Sequence, residues 1–523
     1  MRVWSRRKIL DLAAGLCGLV AAPSFGPRAA ALLGEARPHG FSEVLARARA
    51  LAREPFRPLP RPAPEIVAEI DYERHGAIRF RAEHALWAEG PGRYPVTLFP
   101  LGRFFPHPVA VHLVEGGKAR PVLFDPAQYE SPPDSPWRRL AAEAGHAGFR
   151  VHEARTRPDW PRQDWLAFLG ASYFRAIGEL GYYGLSARGV AIDTAEPEGE
   201  EFPAFVAFWL HPAIAVEDPV VIEALLDGPS LSGAFRFLAW RGAGVEMEVE
   251  AHLFFRRRVR RLGIAPLTSM FWYAEYGESR WLDWRPEVHD SDGLAIWTGS
   301  GERIWRPLNN PETVVVSSFL DRDPRGFGLL QRDREVEHYL DGVRFDRRPS
   351  TWVEPLQPWG EGAVQLVEIP TDHEIHDNIV AMWVPREPPP AGGEGSWRYR
   401  LFWLAEDPYA PRGLATVAAT RIGRGHEPGR PRALDIFRIV VEFEGRALDA
   451  LPPGTLPEPV VSASRGELLR VTVEPVPGTR RLRILFDLRA PGRDPVELRA
   501  WLRLAERALS ETWLWQLRPG AAG

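Results

Sequence analysis

A single cysteine, Cys17, stands in the 523 residues, close to the N-terminus. Past it no thiol remains, which excludes a structural disulfide, a cysteine nucleophile and cysteine metal ligation from the rest of the chain. Neither sign of charge dominates. The 65 Lys and Arg against 69 Asp and Glu leave a formal net charge of -4, so nucleic acid and anionic lipid are poor partners. Long apolar runs are missing too. The run Leu10 to Ala22 is shorter than the roughly 20 residues a bilayer requires, so the mature chain is not expected to span a membrane. No Gly-x-Ser-x-Gly elbow, phosphate loop or dinucleotide fingerprint stands in a strand-to-helix setting, and no cofactor is expected. Internal repeats and low-complexity blocks are absent as well.

What is present is tryptophan and proline. The 20 Trp outnumber the 11 Tyr, and there are 51 Pro. Flat indole faces suit the C–H faces of sugar rings, and they equally fill the cores of sheets. Hydrophobic residues at 45% and charged residues at 26% describe a globular chain, and its length suits roughly two to three domains.

The chain opens with Ser5-Arg6-Arg7-Lys8-Ile9-Leu10, the pattern of a twin-arginine export signal, and Ala29-Ala30-Ala31 offers small residues for a signal peptidase. Gly15-Leu16-Cys17 places Leu where a lipoprotein signal wants a small residue. Residues 1–35 are therefore set aside as a leader, and the mature protein is expected in the periplasm, exported already folded.

Residues 41–53 are rich in Ala, Arg and Leu at helical spacing, with Ser42 as the expected N-cap and the prolines from Pro55 to Pro64 as the stop. A shorter helical piece is expected over Trp137–Ala144. Strand patterns dominate elsewhere: 77–81, 96–99, 245–250, 314–319 and 397–403. Residues 36–405 are expected to form one large β unit and 406–428 a linker. Residues 429–518, with strands over 437–443, 468–474 and 481–488, read as a small β-sandwich of immunoglobulin-like size.

Two polar, turn-prone stretches carry groups able to do chemistry. They are His289-Asp290-Ser291-Asp292-Gly293 and His373-Glu374-Ile375-His376-Asp377-Asn378. Two carboxyls can divide the work of glycosidic cleavage, one protonating the departing oxygen and the other collecting the proton of the incoming hydroxyl. Asp-rich turns also serve as plain caps. His373, His376 and Asp377 with His289 have the ligand types zinc prefers, but no helix orders their spacing. Asp290-x-Asp292-Gly293 hints at calcium and lacks the rest of the loop. No metal is expected. The basic run Arg256–Arg261 reads as a solvated face, or as a contact for lipid or a protein partner.

Several longer segments occur in order along the chain. They are Phe168–Arg175, Tyr183–Gly189, Ala191–Glu196, Gly263–Met270, Arg285–Gly293, Trp305–Pro311, Gly326–Arg332 and Val367–Thr371. Together they resemble the periplasmic glucan biosynthesis protein G/D family, and the twin-arginine leader resembles its D branch. The resemblance implies a mainly β fold: a large galactose-mutarotase-like β-sandwich followed by an immunoglobulin-like β-sandwich. It implies a role in controlling the backbone of osmoregulated periplasmic glucans, which are β-1,2-linked. It also implies inverting β-1,2-glucanase chemistry, with Asp377 as general acid and Asp290 as general base acting through a relay. Phe345 stands where hydrolytic members carry Tyr, so a relay hydroxyl is missing and transfer to a sugar acceptor becomes the expected alternative to hydrolysis. Glu374, Arg306, Asn309, Asn310 and Arg332 are candidates to hydrogen-bond sugar. Trp297, Trp305, Trp352, Trp359 and Trp383 are candidates to stack on it. The other reading is a non-catalytic glucan carrier, partner to a membrane glucan synthase.

Overall fold

The computed structural model describes residues 32–140, 144–277, 283–411, 413–425, 429, 433–452 and 454–519. The export motif, Cys17 and Ala29–Ala31 lie outside them. Residues 32–35, set aside with the leader, belong to the fold. Leu33 is buried, the Gly34 N–H donates to Pro121 O and the Leu32 carbonyl accepts from Leu123 N–H.

Strands dominate, as the alternation predicts. Strand Val245–Phe255 shows the pattern plainly: Val245, Met247, Val249, Ala251 and Leu253 point inward, while Glu246, Glu248, Glu250 and His252 point out. Each inward side chain of Val or Leu size contributes about 1.5–3 kcal/mol when fully buried. On the outer face Glu248 lies opposite Arg400 of strand Glu394–Leu404 and pairs with it at 2.5 Å.

A sixteen-stranded sheet and a ten-stranded sheet pack face to face. Their shared core includes Phe205, Phe208 and Phe237 from the first and Phe149, Phe168 and Phe174 from the second. This is the expected mainly β sandwich. Among the described residues no helix is long and apolar enough to cross a membrane.

Helix Phe41–Leu51 lays Val44 and Ala48 on the large sheet, and Ser232 Oγ donates to the Ala48 carbonyl at 2.6 Å. Its N-cap is Gly40, not Ser42; Ser42 sits inside the first turn, and the Gly40 carbonyl accepts from Glu43 N–H. Of the helical piece expected over Trp137–Ala144, the start is a 3-10 turn, Pro136–Arg139, opened by Pro136 behind a Ser135 cap, and residues 141–143 lie outside the described residues.

The expected linker 406–428 contains a strand, Thr416–Arg424, which pairs with Ile436–Glu444. It forms the edge of a four-stranded sheet completed by Leu482–Arg489 and Glu467–Pro475. Three further strands, Glu458–Ala463, Val496–Leu504 and Thr512–Leu517, face that sheet across a core of Ile439, Phe486, Leu498 and Trp513. These three are continuous with the large sheet, because Thr512–Leu517 runs parallel to Arg303–Pro307 with Trp305 beside Trp513. A parallel pairing between distant segments leaves no local pattern.

Candidate functional site

Strand Leu262–Ser269 is buried along its whole length in the ten-stranded sheet. Its continuation, Phe271–Tyr273, pairs with the short strand Val288–His289. On its other side Ser269 pairs with Ile379, the first residue of strand Ile379–Pro385. The two turn-prone stretches singled out in the sequence therefore meet at one strand end. The Asp290 N–H donates to Met270 O at 2.8 Å. Asn378 brackets Phe271: its Nδ2 donates to Phe271 O at 2.9 Å, and its Oδ1 accepts from Phe271 N–H at 2.8 Å. Asp377 is the next residue back along the chain.

The loop carrying Asp377 is trussed from three sides. Asn378 Nδ2 also reaches Ile369 O. Asn310 donates to Thr371 O at 2.7 Å and accepts from Thr371 N–H at 2.9 Å. Arg285 binds Glu374 at 2.6 Å, Asp341 at 2.9 Å and Asp283 at 3.0 Å.

The Asp377 carboxyl is open to solvent but set among enough protein that lost solvation, then the charge of Asp290, lifts its pKa to about 6. Burial also raises Asp290, against the pull of Arg348, whose Nε lies 3.0 Å from Asp290 Oδ1. Arg175 and Arg348 act on both carboxyls. The site thus sets two carboxyls against two guanidiniums. One carboxyl keeps its proton up to about pH 6, and the other is in contact with a cation.

Behind Asp290 lies a buried polar network. His289 is fully buried, with Nε2 at 2.9 Å from Glu287 and Nδ1 at 3.0 Å from Gln331 Oε1. Burial opposes its charge, but the bond to Glu287 and the charges of Asp292 and Glu287 outweigh it and raise its pKa to about 9. Asp292 turns away from Asp290, accepting from the backbone N–H groups of Arg332 and Asp333, and burial raises it to about 6. The pair therefore does not form a shared calcium loop. Among the described residues His373, His376 and Asp377 do not gather with His289 as metal ligands, since both nitrogens of His289 are engaged.

The sequence of this chain matches the family described as periplasmic glucan biosynthesis protein, MdoG, over residues 39–517. It belongs to that family. It is 53% identical over 526 residues to glucans biosynthesis protein D 2 of Ralstonia nicotianae, covering 98% of each chain. To glucans biosynthesis protein D of Stenotrophomonas maltophilia it is 45% identical over 495 residues, covering 94% of this chain and 92% of the relative. To the protein of that name from Xanthomonas oryzae pv. oryzae it is 43% identical over 534 residues, covering 100% and 99%. The chain is a periplasmic glucan biosynthesis protein.

Not every residue expected to touch glucan is placed to do so in this family member. Trp352 and Trp383 are 1% and 0% exposed, inside the cores, and present no face to a ligand. Trp305 and Trp359 are likewise buried. Trp297 is half-buried between Arg303 and Arg325, at the far end of strand Gly293–Trp297, roughly 15 Å of strand from Asp292. Arg306 is buried against Glu368, which also accepts from Asn309 N–H at 2.7 Å. Arg332 lies over Trp305 and pairs with Glu511 at 2.6 Å, tying the large sheet to its C-terminal strands. Glu374 and Asn310 are at the site, but as trusses of its loop. Four of the five arginines of the basic run are paired within the fold: Arg256 with Asp227, Arg257 with Glu201, Arg260 with Glu198 and Arg261 with Glu196, while Arg258 is exposed.

Phe345 is buried against Tyr339, whose hydroxyl bonds to Gln331 and Asp333 instead. Sequence reasoning gave no role to Arg175, Arg348, Arg285 or Asn378, although each stands in or beside a segment it singled out. It also passed over Trp284, which is 68% exposed beside Arg285.

Proposed function

We propose that this protein acts on β-1,2-linked glucan at the paired carboxyls of Asp290 and Asp377, as an inverting glycoside hydrolase or as a transglycosylase. One observation carries the reading: a solvent-open carboxyl with its pKa raised to about 6 faces a second carboxyl held against Arg348. Asp377 gives its proton to the glycosidic oxygen as the C–O bond breaks. The incoming hydroxyl, of water or of a sugar, attacks the anomeric carbon from the opposite face and loses its proton to Asp290 through intervening groups. Trp284 supplies an apolar face for a glucose ring. The absence of a hydroxyl at Phe345 favours a sugar acceptor over water, and with it transfer over hydrolysis. The protein reaches the periplasm by the twin-arginine route. Its C-terminal strands form an immunoglobulin-like module, beginning at Thr416 instead of after 428.

The test is incubation of the purified exported protein with linear β-1,2-glucan, with products read by mass. Shorter linear chains support hydrolysis, and cyclic or rearranged chains support transfer. Glucan that binds and stays unchanged overturns the enzymatic reading and leaves a carrier that hands glucan on from a membrane synthase.

A further inference from the structure

Away from the two aspartates, the large sheet and the N-terminal arm bring two imidazoles and a carboxylate together. Strand Ala204–His211 pairs antiparallel with strand Val220–Asp227, with Trp209 opposite Glu223 and His211 opposite Val221. Residues two apart share a face, so His211 and Glu223 are diagonal neighbours on one side of the sheet. His39 is delivered to that side by the arm. Its N–H donates to Gly117 O, and its ring stacks on Trp209 at 5.2 Å with 7° between the planes. Its Nε2 lies 2.6 Å from Glu223 Oε2, and His211 Nε2 lies 3.6 Å from Glu223 Oε1.

Donor atoms of His39, His211 and Glu223 all lie within 4.8 Å of one another. Donors around a tetrahedral zinc ion at about 2.0–2.2 Å stand roughly 3.3–3.6 Å apart, so small side-chain adjustments close the set. The side chains of His39 and Glu223 are 3% and 6% exposed, which fixes two of the three. His211 Nε2 is a buried nitrogen whose contact with Glu223, at 3.6 Å, is longer than a hydrogen bond, which leaves room for an ion between them. The other ring nitrogen of His39 lies 3.7 Å from Glu43, the arrangement in which an outer carboxylate orients a metal-bound imidazole. A cavity of about 370 Å³, lined by His39, Glu43, Arg47, His112 and Trp209, opens beside His39.

We propose that His39, His211 and Glu223 bind one borderline divalent transition ion, zinc or cobalt being the type, with Glu43 orienting His39. The donor set is two imidazoles and one carboxylate, which suits such ions and not calcium or magnesium. The ion clamps the N-terminal arm to the strands beneath it.

The exported protein, purified without a histidine tag and stripped with chelator, is titrated with Zn²⁺ by calorimetry and assayed for bound metal. One ion per chain is expected, together with a rise in Tm that chelator reverses. Co²⁺ in place of Zn²⁺ gives the intense visible absorption of a low-coordinate site. His211→Ala and Glu223→Gln each weaken binding beyond the roughly 100-fold upper end of outer-shell effects and remove the metal-dependent rise in Tm, while Glu43→Gln costs about tenfold. The variants are compared with the wild type in chelator, so loss of fold is read separately from loss of metal. The double variant His373→Ala, His376→Ala keeps full stoichiometry. No stoichiometric Zn²⁺ on the wild type, binding that survives both ligand variants, or binding lost in the His373, His376 double variant overturns the assignment.

Discussion

The charge of Asp290 raises the proton affinity of Asp377, although the two residues lie far apart in sequence. They meet because their segments hang from consecutive residues of one strand end, Asp290 from Met270 O and Asn378 from Phe271. Burial is the larger cause of the shift at Asp377, and Asp290 is the second. Asp290→Asn should therefore lower the pKa of Asp377 without returning it to the ordinary carboxyl range. Carbon NMR of protein labelled at the aspartate carboxyls reads this directly. An Asp377 titration unmoved by the substitution would show that the two do not interact.

Asp377→Asn removes the proton donor of the proposed reaction. General acid–base groups contribute about 10²–10⁴-fold to rate, so product formation on linear β-1,2-glucan should fall by that order. The pH dependence follows from the raised pKa of about 6. As an acid the group must be protonated, so wild-type activity should decline as pH rises through 6. Stability carries the same sign. Between the unfolded pKa, near 4, and about 6 the folded state binds more protons at this residue, so its contribution worsens as pH rises through that window. Asp377→Asn should accordingly melt higher than wild type at pH 7.5, with the advantage gone at pH 4. Thermal melts at both pH values check it.

Arg285 holds three carboxylates, from Asp283, Asp341 and Glu374, and only the last belongs to the loop of the proposed acid. Arg285→Ala leaves all three without their cation in a largely buried place. It should cost about 3–5 kcal/mol, the range for breaking a buried pair on one side. Glu374→Gln keeps the shape and loses the charge on the more open partner, so it should cost far less stability while loosening the loop. Denaturant melts and glucan turnover, measured on both variants, separate the two effects.

How much of this was legible in the sequence depends on range. Strands 245–250 and 437–443 declare themselves by alternation, because which face meets the core is a local property. The strand at Thr416–Arg424 escaped because it opens a sheet whose partners come later. The two aspartates were found through their polar, turn-prone surroundings. The cations that tune them, Arg175 and Arg348, were not, since nothing in a residue's own neighbourhood says which distant carboxyl it will face. The tryptophans divide for the same reason. An indole's type announces either a core or a sugar platform, and only the fold decides; it sealed Trp352 and Trp383 inside and left Trp284 out.

Phe345 is closely packed with Tyr339, Tyr273 and Met270. Phe345→Tyr would place a hydroxyl in that cluster. Left without a partner it should cost about 1–3 kcal/mol, visible as a lower Tm. If it finds water leading toward Asp290, it should also shift the products from rearranged chains toward shorter linear ones. A variant that folds and leaves the product ratio unchanged would remove position 345 from any account of water activation.

Trp284 and Trp383 give opposite expectations for one substitution. Trp383 is fully enclosed and packs near Trp359, so Trp383→Ala should cost about 3–5 kcal/mol through the cavity it opens. Trp284 is 68% exposed, so Trp284→Ala should leave the stability within about 0.5 kcal/mol of wild type. Glucan binding should respond the other way round. A lost stacking face weakens binding at Trp284, raising KM with little change in kcat, whereas folded Trp383→Ala protein should keep its affinity. Glycan-array or calorimetric titration with β-1,2-linked oligosaccharides decides between them. Unchanged affinity in Trp284→Ala would mean that the exposed indole serves some contact other than the sugar.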